Sequence, residues 1–76
     1  MTVLLIMKSE LGRVKDVAEK LSELPETSEV YLMTGEYDII AKIEAEPEEA
    51  IDLILEKILK IEGISKTRTI FTKKIK

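Results

Sequence analysis

The sequence predicts an α+β domain: a four-stranded antiparallel sheet with two helices on one face, in the order βαββαβ. Three observations carry that expectation. Apolar runs of strand length alternate with two stretches of helical period. Strand, helix and strand occur twice with similar lengths. The breaks fall on Pro25, Gly35, Pro47 and Gly63, residues that end or turn regular structure.

Val3-Leu4-Leu5-Ile6-Met7 is too brief for a helix and apolar enough for a strand. Val14, Val17, Ala18, Leu21 and Leu24 then follow a helical period up to Pro25, with Lys15, Asp16, Glu19, Lys20 and Glu23 between them as the solvated face. Val30 to Thr34 reads as the second strand and Tyr37 to Glu44 as the third. Gly35-Glu36 between them suits a two-residue hairpin, because Gly accepts positive φ at the first turn position. Pro47-Glu48-Glu49 opens a second helix, with Pro at the first position and acids at the positive end of the dipole. Ile51, Ile54, Leu55, Ile58 and then Ile61 or Glu62 follow its period, and Gly63 falls where a left-handed cap belongs. Ile64 to Thr72 closes the chain as a fourth strand with β-branched and aromatic weight. That order is the ferredoxin-like one.

A sheet covered on one face should alternate apolar and polar residues. The first strand does not: both of its faces are apolar. In the third strand Ile39, Ala41 and Ile43 take one face while Ile40 takes the other; in the second, Tyr31 and Met33 oppose Val30 and Leu32. Something must cover the face that the helices leave bare. Each fully buried large apolar side chain contributes about 1.5–3 kcal/mol before the cost of association is subtracted. Five or six such residues per subunit make sheet-to-sheet homodimerisation the expectation.

Size points the same way. Seventy-six residues make a single domain, 1–76, and a chain this short buries only about 60% of its unfolded surface. Disulfides, metals or association usually compensate. With no Cys and no His, association is the route left open. The same absence removes thiol nucleophiles, Cys/His zinc sites and a general base poised near neutral pH, and no Gly-rich phosphate loop follows a strand. The acids Glu44, Glu46, Glu48 and Glu49 read as a helix start opposing the dipole. No catalytic residue, metal or cofactor is assigned.

Charged residues make 36% of the chain with a net charge of only −3, which lacks the footprint of a nucleic-acid binder. Lys66, Arg68, Lys73, Lys74 and Lys76 read as a solvated strand end, since base-stacking aromatics are lacking. Asn and Gln are absent, as in proteins that avoid thermolabile amides at high temperature. No signal peptide is visible, and no apolar run nears the ~20 residues that span a bilayer. A soluble, cytoplasmic protein is expected.

Met33-Thr34-Gly35-Glu36-Tyr37-Asp38 reads on its own as a hairpin whose Asp bonds a local N–H. Together with Ile39-Ile40-Ala41, a following helix, Glu62-Gly63-Ile64 and the Thr67-Arg68-Thr69 strand, it resembles the effector-binding domain of Lrp/AsnC-type transcription regulators. That family has a Gly-x-Tyr-Asp turn after the second strand and a Gly-Val/Ile-x-x-Thr-x-Thr segment entering the fourth, and the match runs from about Val3 to Lys74. The resemblance implies sheet-to-sheet dimers that assemble further into rings, with a small effector, usually an amino acid, at subunit interfaces. It implies ligand contacts at Thr34, Gly35, Glu36, Tyr37, Asp38, Thr67 and Thr69. Backbone N–H groups around Gly35 suit a carboxylate, and Asp38 or Glu36 an α-ammonium. The match starts at residue 3, so the family's N-terminal helix-turn-helix is expected to be missing. The implied role is a stand-alone amino-acid-sensing module that acts alone or exchanges into the oligomers of full-length Lrp/AsnC regulators.

Two other readings stay open. Glu10-Leu11-Gly12-Arg13-Val14 is similar to the Gly-containing first loop of ACT domains, amino-acid-binding modules beside enzymes, but lacks the usual preceding Asp-x-Pro. A small ferredoxin-like enzyme would need a deep pocket of converging polar groups.

With a net-negative charge and no reading helix, the purified 76-residue chain should show no sequence-specific DNA binding at physiological salt. A sequence-selective footprint by the purified protein would contradict this. Binding that appears only beside a full-length regulator would support exchange.

Overall fold

A computed structural model describes residues 1–76. The strands are β1 (Thr2–Ser9), β2 (Thr27–Leu32), β3 (Ile39–Glu44) and β4 (Ile64–Phe71); the helices are α1 (Val14–Ser22) and α2 (Pro47–Glu56), the latter followed by a 3₁₀ turn at Ile58–Lys60. The four strands form one antiparallel sheet in the order β2-β3-β1-β4. This is the expected ferredoxin-like α+β architecture. No helix is long and apolar enough to cross a membrane.

β1 is central, paired with β3 from Thr2↔Glu44 to Met7↔Ile39 and with β4 from Val3↔Phe71 to Lys8↔Lys66. Its alternate residues Val3, Leu5 and Met7 are fully buried, as are Ile39, Ala41 and Ile43 of β3. They meet Val17 and Leu21 of α1, Ala50, Leu53 and Ile54 of α2, and Ile58. All twelve buried hydrophobic residues thus belong to one layer, between the sheet and the helices.

The second helix corrects the sequence reading. Ile51 and Leu55, expected inside, are 45% and 58% exposed, while Ala50 and Leu53 face the core. Both stripes obey the helical period, so periodicity alone cannot choose between them. Ala50 has no exposed surface, so a larger residue there would have to displace its neighbours. The start is as expected: Pro47 opens the helix, and Glu49 Oε1 accepts the Glu46 N–H at 3.3 Å in a capping box. The regular helix stops at Glu56, short of the Ile61 or Glu62 suggested by periodicity, because the chain tightens into the 3₁₀ turn.

The β2–β3 connection is also longer than the predicted two-residue hairpin. Met33 N–H donates to Asp38 C=O at 2.8 Å, enclosing Thr34 to Tyr37. The last sheet pair is Leu32↔Ile39, because Asp38 turns its own N–H and side chain toward β1. Gly35 has φ +106°, the positive value expected of it, and a Cβ there would meet nothing within 4 Å. Gly63, at φ +100°, is different: a Cβ would lie 3.0 Å from both Arg13 Cβ and Val17 Cγ2. Its C=O also accepts the Glu10 N–H at 2.6 Å, so this glycine holds the end of the α2 segment against the start of α1.

Gly35→Ala should cost only backbone strain, about 1–3 kcal/mol, whereas Gly63→Ala should add an overpacking cost of about 1–3 kcal/mol. Thermal unfolding of the two variants checks this ranking. Equal losses would contradict it.

Candidate functional site

The sheet face away from the helices carries no layer of this chain. Register places Leu4 and Ile6 of β1, Ile40 of β3 and Ile70 of β4 together on it, each half-buried by its neighbours. Tyr31 beside Ile40 is 54% exposed. The apolar strip is bordered by polar groups of two kinds. Toward the start of β1, Lys42 Nζ lies 3.1 Å from Glu29 Oε2, and the Tyr31 hydroxyl donates to Glu29. The Thr2 hydroxyl donates to Glu44 at 2.8 Å. The Tyr31 hydrogen bond first, then Lys42, hold the Glu29 carboxyl below its usual range. The same contacts with Glu29 raise Tyr31 and Lys42 above theirs. Toward the end of β1 stand Lys8, Lys66 and Arg68, all exposed.

The turn that carries the sequence motif lies at that same end. Asp38 precedes β3 by one residue, and its N–H donates to Met7 C=O at 2.9 Å. Its Oδ2 accepts the Ser9 N–H at 2.9 Å and the Ser9 hydroxyl at 3.2 Å. The physical cause is strand length. β1 runs two residues past its last pair with β3, so the carboxylate takes over as acceptor where the ladder has ended. The sequence reading assigned Asp38 a local N–H; the partner is instead 29 residues away, because the extended β1 edge offers a better donor than the turn does. Tyr37 reaches over the bare face, with the Lys66 ammonium 5.7 Å from its ring centroid. Thr34, Gly35 and Glu36 form the exposed tip.

Thr67 and Thr69 pair with Met7 and Leu5 and therefore point to the helix side of the sheet, both half-buried. β1 lies between them and the turn. Within one chain, then, the turn meets β4 through Tyr37 and Lys66, not through either threonine. Ser9 and Lys8 were missed in the sequence because nothing local marks them; only the register of β1 against β3 and β4 brings them to the turn.

Two clefts indent the surface. One, of about 330 Å³, is bounded by Asp38, Lys8, Ser9, Glu10 and the Leu11-Gly12 loop. The other, of about 500 Å³, lies over the ends of α1 and the 3₁₀ turn; seven of its eight lining residues are charged. Arg13 there sits 3.6 Å from Glu62 and 3.9 Å from Asp16. Such exposed pairs contribute little stability, and the cleft is an ion-paired surface. Neither is a deep polar pocket between helices and sheet, since no polar or charged side chain is buried.

Asp38→Ala should lower stability by about 1.5–3 kcal/mol, the loss of hydrogen bonds to a charged acceptor with Ser9 N–H left unpaired. Ser9→Ala removes only the hydroxyl bond and should cost less. Chemical denaturation of both variants measures this order, and an Asp38→Ala protein as stable as the parent would contradict the anchoring role.

Known proteins share this fold and are similar in sequence. The family model of the Lrp/AsnC ligand binding domain matches residues 2–75. The HTH-type transcriptional regulator FL11 of Pyrococcus furiosus is 35% identical over 71 residues, covering 93% of this chain and 47% of the regulator. The chain thus spans about half the length of such relatives. TTHA0845 from Thermus thermophilus superposes with a TM-score of 0.92 at 32% identity, over 99% of this chain and 95% of that one. The transcriptional regulator NMB0573 of Neisseria meningitidis, solved as an L-Met complex, shares the fold with a TM-score of 0.83 at 16% identity, over 99% of this chain and 51% of that one. With the family model matching nearly its whole length, the chain belongs to the Lrp/AsnC ligand-binding domain family.

Proposed function

We propose that this chain is a regulatory module which pairs sheet to sheet with a second copy and takes a small effector, a free amino acid, at the seam. The observation that carries the reading is the bare face of β1, β3 and β4. Leu4, Ile6, Ile40 and Ile70 form a continuous apolar strip there, while every buried hydrophobic residue belongs to the opposite layer. At about 25 cal/mol per Å² of apolar surface removed from water, closing such a strip against its copy is a substantial driving force. In a chain this small it also supplies a second core.

The effector reading rests on the turn at the end of that strip. Thr34, Gly35 and Glu36 present exposed backbone and side-chain groups. Both Ser9 bonds go to Oδ2 of Asp38, leaving Oδ1 for an α-ammonium. Thr67 and Thr69 face the helix side of β4, away from the seam, so they would join a pocket only where a further copy brings its turn to that side of β4. The NMB0573 regulator, solved with L-Met, and the regulators among the relatives support a sensing role. The proposed output is a change of assembly, felt alone or through mixed oligomers with longer Lrp/AsnC regulators.

Leu4 and Ile6 both face the bare side, so Leu4→Asp or Ile6→Asp should dissociate the parent assembly, an unpaired charge being intolerable at a closed apolar seam. Light scattering reads the change in mass. An assembly unaffected by either substitution would remove this face as the interface. Calorimetry across the amino acids, combined with scattering, tests the effector, and no binding by any of them would end the sensor reading.

A further inference from the structure

The bare face carries more positive charge than it can satisfy. Lys8, Lys42, Lys66 and Arg68 lie on it against the carboxylates of Glu29 and Glu44, with Asp38 at its end bound to Ser9, four cations to three anions. Glu29 is already engaged by Lys42 at 3.1 Å and by the Tyr31 hydroxyl. The other three cations gather at the opposite end, and none of them forms a salt bridge: the five ion pairs of the chain involve Arg13, Lys20, Lys42 and Lys57. Lys8 and Lys66 are direct cross-strand partners, the arrangement in which like charges oppose pairing. Arg68 lies two residues along β4 on the same face, roughly 7 Å away, within the ~8 Å screening length at physiological salt. The single favourable contact in the group is Lys66 over the Tyr37 ring at 5.7 Å.

Closing this face against a second copy lowers the local dielectric and sharpens the repulsion. The copy brings the same excess of positive charge and cannot cancel it. We infer that Lys8, Lys66 and Arg68, beside Tyr37, form the carboxylate-binding part of the effector site, and that the effector class is a small dicarboxylate, one per chain. The inference rests on the seam proposed above and narrows its ligand. The planar Arg68 guanidinium suits a bidentate carboxylate, and the paired lysines suit the second carboxylate. An amino group on the ligand, as in an acidic amino acid, would fall toward Asp38 Oδ1.

The test is calorimetry and light scattering on the same samples of the 76-residue protein at physiological salt, with glutamate, succinate, inorganic phosphate and leucine as probes. Glutamate or succinate should bind one per chain, leucine should not, and Lys66→Ala and Arg68→Ala should each weaken binding at least tenfold. Both variants should keep or raise the melting temperature, since they relieve repulsion. Dicarboxylate affinity unchanged in Lys66→Ala/Arg68→Ala would overturn the assignment. So would phosphate binding as tightly as succinate, or leucine binding while both dicarboxylates fail; the last result would leave the amino-acid reading standing. A dimer that binds none of the probes sinks this inference alone, whereas a folded monomer in scattering sinks the seam beneath it.

Discussion

A central strand with apolar residues on both faces sets the terms for the rest of the molecule. β1 is hydrogen-bonded to β3 on one side and β4 on the other, so its backbone is satisfied and its register is held from both edges. Val3, Leu5 and Met7 anchor the helix-side core with no exposed surface. Leu4 and Ile6 present an equivalent surface that α1 and α2 cannot reach, because both crossovers return on the same side. A chain with one core layer and one unused apolar face is stable in isolation only by leaving that second surface in water. The proposed pairing removes that cost and places the motif turn at the edge of the contact.

The polar groups around the strip divide by role. At the start of β1, Glu29, Lys42 and Tyr31 satisfy one another, and being exposed they contribute specificity more than energy. At its end the carboxylate of Asp38 is committed to Ser9 while three cations stay unpaired. A structural surface has little reason to set Lys8 opposite Lys66. The inferred anion site would give that opposition a role, since a ligand that offsets the excess positive charge would couple binding to assembly.

Much of this was legible in the sequence because the helix-side core is a matter of alternation. Ile39-Ile40-Ala41 and the two-faced first strand announced which side chains belong to which face, and Gly35 and Gly63 announced positive φ. The errors came from degeneracy. In α2, Ile51, Leu53, Ile54 and Leu55 satisfy two helical phases, and only the packing of the folded core around Ala50, Leu53 and Ile54 decides. The hairpin length was hidden because Gly35-Glu36 suits a tight turn, whereas Asp38 is drawn out of the ladder by Ser9. In the sequence Lys66 and Arg68 read as a solvated strand end, since their proximity to Lys8 and Tyr37 depends on pairing across some fifty-eight residues of chain, from Lys8 to Lys66.

The claim on which the account turns is that the bare face of the sheet is closed by a second copy. Solution X-ray scattering at micromolar concentration measures it without any substitution. A single chain has a Cα radius of gyration of 11.7 Å, and two sheets stacked about 10 Å apart must give a clearly larger value with a forward intensity of two chains or more. A folded particle with the forward intensity of one chain and a radius near the single-chain value would contradict the account.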